Sequence, residues 1–261
     1  MKKSGKDKLH SKLDAQKGMK ASGSVMKKNR RFAVVILGMH RSGTSALSRM
    51  LSLLGCDLPR SLMPETSANP SGYWESSAIM QLNDEILAST GSNWKDWTKI
   101  NGGWYESPLI GEYLNKGSQI IKDEFNNSTL FVMKDPRNCR LARYWFDVLH
   151  AENINKLVVL MIRNPIEVNS SLKLRDSMNP DLGNLLWLRH VLDAEFQSRG
   201  EKRFTTTYDK LIDNWQNVAS QMQQSFAMSW PRFSQLAGVE IAEFINVEAK
   251  HHISDSQKLL S

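Results

Sequence analysis

Residues 32 to 45, Phe-Ala-Val-Val-Ile-Leu-Gly-Met-His-Arg-Ser-Gly-Thr-Ser, constrain the fold of this chain more than any other stretch. An unbroken apolar run reads as a buried strand, and it feeds a turn bracketed by Gly38 and Gly43. Beyond the turn, Ala46, Leu47, Met50, Leu51 and Leu54 recur at helical spacing, and Gly55 supplies a stop. A strand that passes through a glycine-punctuated turn into a helix N-terminus makes an anion site. Unpaired backbone N–H groups and the positive end of the helix dipole point at the ligand, and glycine lets the chain approach it closely. The pattern G-x-x-x-x-G-K-[ST] of nucleoside triphosphatases puts lysine after the second glycine. This chain has Thr44 there, and the nearest cation is Arg41 inside the turn.

The rest of the chain supplies a frame for that loop. Residues 57 to 76 carry Pro59, Pro64, Pro70 and Gly72 and read as a long loop ending in Gly-Tyr-Trp-Glu75. A helical pattern follows through Ile79, Leu82, Ile86 and Leu87. Residues 91 to 108, with Trp94, Trp97 and Trp104, read as a lid or substrate-facing excursion. A helix is expected over 109–125, strands over 130–134 and 156–162, a helix over 138–150 between them, and helices over 165–199. Strands alternating with helices call for parallel pairing through right-handed crossovers. The expected fold class is therefore α/β: a three-layer P-loop fold, with a central parallel sheet flanked by helices and a helical C-terminal third. Ligands in such sheets lie at the carboxyl ends of the strands, where Arg41, Lys134 and Arg163 all fall.

The length of 261 residues and 41% hydrophobic content suit one large domain. The net charge of +7 would suggest a nucleic-acid partner, so its location matters. Residues 1 to 31 hold nine Lys, two Arg and two Asp, which leaves the remainder slightly negative. The basic character belongs to a Lys-, Ser- and Gly-rich leader, expected to be disordered over 1–30 because it has too little apolar surface to offset its ordering entropy. The domain is expected over 31–250 and a polar tail over 251–261. No nucleic-acid partner is expected, and the leader's reach extends at most to weak contact with a membrane surface. No secretory signal or stretch of eighteen apolar residues is present, which points to the cytoplasm, and Cys56 and Cys139 are expected to be free thiols.

Arg41-Ser-Gly-Thr-Ser45 after a buried strand resembles the 5′-phosphosulfate loop of sulfotransferases that use 3′-phosphoadenosine 5′-phosphosulfate (PAPS). Three further segments carry the resemblance, in the right order. Lys156–Arg163 is similar to the strand ending in Arg that, with a Ser eight residues later (here Ser171), holds the 3′-phosphate. Phe131–Arg137, with Lys134, resembles the lysine-bearing strand end of tyrosylprotein and related carbohydrate sulfotransferases, and Phe204–Leu211 resembles their Tyr-Glu-Asp-Leu segment. The resemblance implies a PAPS co-substrate cradled by Arg41, Ser42, Gly43, Thr44 and Ser45 and held by Arg163, Ser171 and Tyr208. It implies no required metal, with Lys134 at the bridging oxygen and Glu75 as the acceptor base. Glu65 is the reserve base and His40 a structural residue. The implied acceptor is a hydroxyl, more readily of a saccharide or glycolipid than of a tyrosine. Two rivals remain at this stage: a kinase with a divergent loop, in which Asp135 would hold Mg²⁺, and an inactive nucleotide-binding adaptor.

Overall fold

The computed structural model describes residues 30–66, 69 and 71–258, with side chains placed up to residue 246. The expected leader over 1–30 therefore lies, except for Arg30, outside the described residues. Strand β1 spans Arg31–Leu37, β2 Leu130–Lys134, β3 Ile154–Ile162 and β4 Arg203–Thr207. They form one sheet in the order β2-β1-β3-β4, and every neighbouring pair is parallel. The chain leaves β1 for one side of the sheet and then crosses to the other. The carboxyl ends of β1 and β3 therefore flank a topological switch point, where open α/β sheets hold ligands.

Alternating residues of the strands feed two cores. Val35 and Leu37 of β1, Phe131 and Met133 of β2 and Val158 and Leu160 of β3 face one layer. That layer is built on helices α2 (Ser77–Ser89), α3 (Ile110–Phe125), α4 (Ala142–Ala151) and α6 (Pro180–Gln197). Val34, Ile36, Val132, Val159 and Met161 face the other. That side carries α1 (Thr44–Leu53), α7 (Tyr208–Asp213), α8 (Trp215–Phe226) and α9 (Gln235–Lys258). Helix α5 (Pro165–Asp176) packs on α6 through Val168, Leu172 and Leu186 beyond the end of the sheet. Three layers and a helical C-terminal third agree with the expected class.

Local signals set most boundaries. Ser76 caps α2, its hydroxyl accepting from the Ile79 N–H at 3.1 Å. Asn164 and Asn179 cap α5 and α6, each followed by proline at the first helical position, where a missing N–H costs nothing. Strand β3 starts at Ile154, two residues before the sequence reading, and α4 at Ala142, four residues after it, and two larger differences follow. Residues 203–207 form β4, an edge strand of Arg-Phe-Thr-Thr-Thr whose polarity hid it because only one of its long edges is paired. The backbone of α9 runs through Lys258, past the expected domain end at 250 and into the residues assigned to a polar tail.

Candidate active site

The turn after β1 is shaped by backbone conformations that side chains resist. Arg41 takes φ 66° and Gly43 φ 81°. A Cβ on Gly43 would run into the Tyr208 ring, so glycine is required there by both conformation and space. Gly38 lets β1 end against β3, since a Cβ on it would lie 2.7 Å from the Met161 carbonyl oxygen. Ser42 is buried, and its hydroxyl has no partner among the described residues. A buried, unpartnered donor inside a turn of aimed backbone amides suits an anion carrying several acceptor oxygens.

Two groups of side chains meet this loop. The first comes from β3 and α5. Arg163 is nearly buried; its Nη1 donates to the Arg41 carbonyl at 2.9 Å and its Nε to Glu167 Oε2 at 2.8 Å. Its guanidinium carbon lies 4.3 Å from the centroid of the Tyr208 ring. Arg41 Nε donates to Ser171 Oγ at 2.6 Å, and Trp187 Nε1 donates to the Arg163 carbonyl at 3.0 Å. Arg41, Arg163, Ser171 and Tyr208 thus lie together beside the loop. Glu167 went unremarked in the sequence reading, although the i,i+4 spacing from Arg163 was a signal that could have found it.

The second group is centred on Lys134 at the end of β2. Its Nζ donates to Glu75 Oε2 at 2.8 Å, to the Tyr73 carbonyl at 2.8 Å and to Ser45 Oγ at 3.1 Å. Lys134 and Glu75 are both buried. The segment bearing Glu75 is fastened to α1: Ser45 Oγ donates to the Tyr73 carbonyl and Ser48 Oγ to the Trp74 carbonyl, both at 3.1 Å. Trp74 is held at φ 55° with Arg49 stacked over its ring at 4.5 Å. A non-glycine residue in the left-handed region costs energy that surrounding contacts must hold in place. The contacts here aim the next residue, Glu75, at Lys134. Burial pushes the Glu75 carboxyl above the usual carboxylate range, against the pull of the Lys134 ammonium.

No family model and no curated protein matches the chain. Solved sulfotransferases are similar to it. The sulfotransferase domain of the Synechococcus PCC 7002 olefin synthase shares 19% identity over 80% of this chain and 76% of its own, with a TM-score of 0.47. The sulfotransferase domain from the curacin biosynthetic pathway shares 17% over 78% and 77%, with a TM-score of 0.45. Retinol dehydratase in complex with androsterone and inactive cofactor PAP shares 12% over 84% and 65%, with a TM-score of 0.41. At such distances the chemistry of the site has to be read from its own side chains.

Asp135, the residue the kinase alternative assigns to Mg²⁺, is paired with Arg137. Its Oδ1 accepts from the Arg137 N–H at 2.7 Å and its Oδ2 pairs with Arg137 Nη1 at 3.1 Å, while Arg137 Nε also binds Asp84 at 2.6 Å. His40 lies behind the loop, its ring 4.7 Å from Trp94 and 6.3 Å from His190. Burial, then the nearby Arg137 and Arg175, hold His40 well below its ordinary value, so it is neutral. Trp94 packs against the cores on either side of it, whereas Trp97 is 45% exposed. Glu65 is exposed in the 57–76 loop.

Proposed function

We propose that this protein is a PAPS-dependent sulfotransferase that sulfates an acceptor hydroxyl, with a saccharide, free or lipid-linked, as the acceptor. The observation that carries the reading is Lys134, whose ammonium joins the carboxylate of Glu75 to the Ser45 hydroxyl of the anion loop. A cation, a carboxylate of raised pKa and a phosphate-binding turn meet at one point, which is what transfer of an anionic group to a hydroxyl requires.

The bound donor would supply a sulfuryl group on a phosphate leaving group. Arg41, Ser42, Gly43, Thr44 and Ser45 would hold its 5′ end, while Arg163 and Ser171 would hold the 3′-phosphate with Tyr208 alongside. Glu75 takes the proton of the acceptor hydroxyl, and Lys134 balances the charge released on the leaving side. Positive charge comes from Arg41, Lys134 and Arg163, so the reading calls for no metal. The saccharide preference rests on the resemblance of Gly-Met-His-Arg-Ser-Gly-Thr-Ser (38–45) and Asn-Pro-Ser-Gly-Tyr-Trp-Glu (69–75) to bacterial sulfotransferase-like proteins associated with surface polysaccharides. A cytoplasmic location belongs to the same reading. Both cysteines are free buried thiols, and no described helix is long and apolar enough to cross a membrane.

Ligand-dependent thermal unfolding tests the assignment, because a ligand at about 100 times its dissociation constant adds about 2.7 kcal/mol to the stability of the fold. The product nucleotide 3′,5′-ADP is expected to raise the unfolding midpoint without metal, and Ser171→Ala to remove most of that shift. A larger shift with ADP and Mg²⁺ overturns the assignment in favour of a kinase. Indifference to both nucleotides leaves the adaptor.

A further inference from the structure

Helix α6 presents an unusual face to solvent. Leu186, His190 and Ala194 point inward and are buried. Leu185, Leu188, Leu192 and Phe196, at spacings of three and four, line the opposite side and are 38 to 65% exposed. Such spacing makes a single ridge, about 17 Å long at 1.5 Å per residue. An amphipathic helix normally turns polar residues outward. Asp181 in the first turn and Arg199 just past the last lie at its ends, while Arg189 and Glu195 flank it, paired with Asp193 and Arg199.

We propose that this ridge is the contact between two copies of the chain, α6 packing antiparallel on α6 about a two-fold axis near His190. Reversing one helix on the other sets Leu188 against Leu192 of the partner subunit and brings Leu185 level with Glu195 of the partner subunit, one residue short of Phe196 of the partner subunit. The same operation brings Asp181 to Arg199 of the partner subunit, at both ends of the ridge. The charges choose this orientation. A parallel in-register pair would set Asp181 on its own copy and Arg199 on its own copy, and would also align the helix dipoles. An isologous contact of this kind closes at two copies and leaves no ridge open for a third. Arg199 is already paired with Glu195 at 2.8 Å, and its side chain remains 63% exposed, so it can accept a second carboxylate without losing the first.

One helix face buries less than the roughly 1,600 Å² of a standard stable interface, so the dimer should dissociate on dilution to about micromolar concentrations. Sedimentation velocity on the full chain, from about 1 to about 200 µM, spans that range. The weight-average mass is expected to rise from 29.7 kDa towards twice that value. Leu188→Glu should stay monomeric throughout with an unchanged circular dichroism spectrum. Arg199→Asp should weaken association about tenfold, and combining it with Asp181→Arg should restore it. Wild-type protein that remains monomeric across the range overturns the proposal, as does a dimer indifferent to Leu188→Glu or a double reversal that fails to recover.

Discussion

The buried pair of Glu75 and Lys134 sets two demands in opposition, since the carboxyl must lose its proton to act as a base while burial favours keeping it. Each partner satisfies the other, and removing one leaves an uncompensated buried charge. Glu75→Gln keeps the size and one acceptor but leaves the Lys134 charge uncompensated, so the fold should lose about 3 to 5 kcal/mol while kcat of the folded enzyme falls on the order of 10²- to 10⁴-fold, the usual worth of a positioned base. The pH profile provides a separate readout. A carboxyl shifted upward loses its charge sooner on acidification, so the acid limb of kcat should lie above the ordinary carboxylate range and vanish from the residual activity of Glu75→Gln. An unchanged acid limb in that variant would assign the base elsewhere. The Gly-Tyr-Trp-Glu segment could nominate Glu75 from sequence. Its union with Lys134 across 59 positions could not be read, because it depends on Ser45 and Ser48 tying residues 73 and 74 to α1.

At the scale of elements, α6 carries a buried group that ties stability to pH. His190 Nδ1 sits 2.7 Å from the Leu186 carbonyl, and the ring is held down to about 3 from an ordinary 6.5, first by burial and then by Arg140, Arg137 and Arg189. The unfolded chain binds a proton at this position that the folded chain refuses. The sign follows: full stability is kept above pH 6.5 and is lost as pH falls towards 3, by up to about 1.4 kcal/mol per pH unit. His190→Leu should reduce that slope, leaving the share of the likewise buried His40, in urea titrations run between pH 6.5 and 4. A slope equal to that of the wild type would show that the ring protonates freely in the folded protein. Elements were legible in proportion to how far local sequence alone determined them. The 130–134 strand was read to the residue because four buried apolar positions run into Lys134. Strand β4 was not, since its pairing with β3 comes from the sheet rather than from its own threonines.

Across the whole molecule the two cores differ in how they are pinned. The layer on the α2, α3 and α4 side is fixed by a buried polar chain, in which Trp145 Nε1 donates to Asn83 Oδ1 at 2.7 Å and Asn83 Nδ2 to Asn138 Oδ1 at 2.9 Å. Trp145→Ala should cost about 3 to 5 kcal/mol for the lost ring, and more because Asn83 loses a donor in a dry interior. A loss of unfolding free energy in urea titrations smaller than about 1 kcal/mol would place the weight of the fold in the other core. The three-layer class was legible because strand and helix alternate. The identity of the outward face of α6 was not, since helical periodicity records which residues are apolar and leaves open what each will touch.

The sheet order also bears on how the protein is made. Strand β1 is complete at Leu37, yet its partners begin at Leu130 on one side and Ile154 on the other. During synthesis the most apolar strand of the fold therefore emerges with both edges bare. At about 5 to 20 residues per second its neighbours arrive only after on the order of ten seconds, a window in which a chaperone has more to offer this chain than any contact of its own.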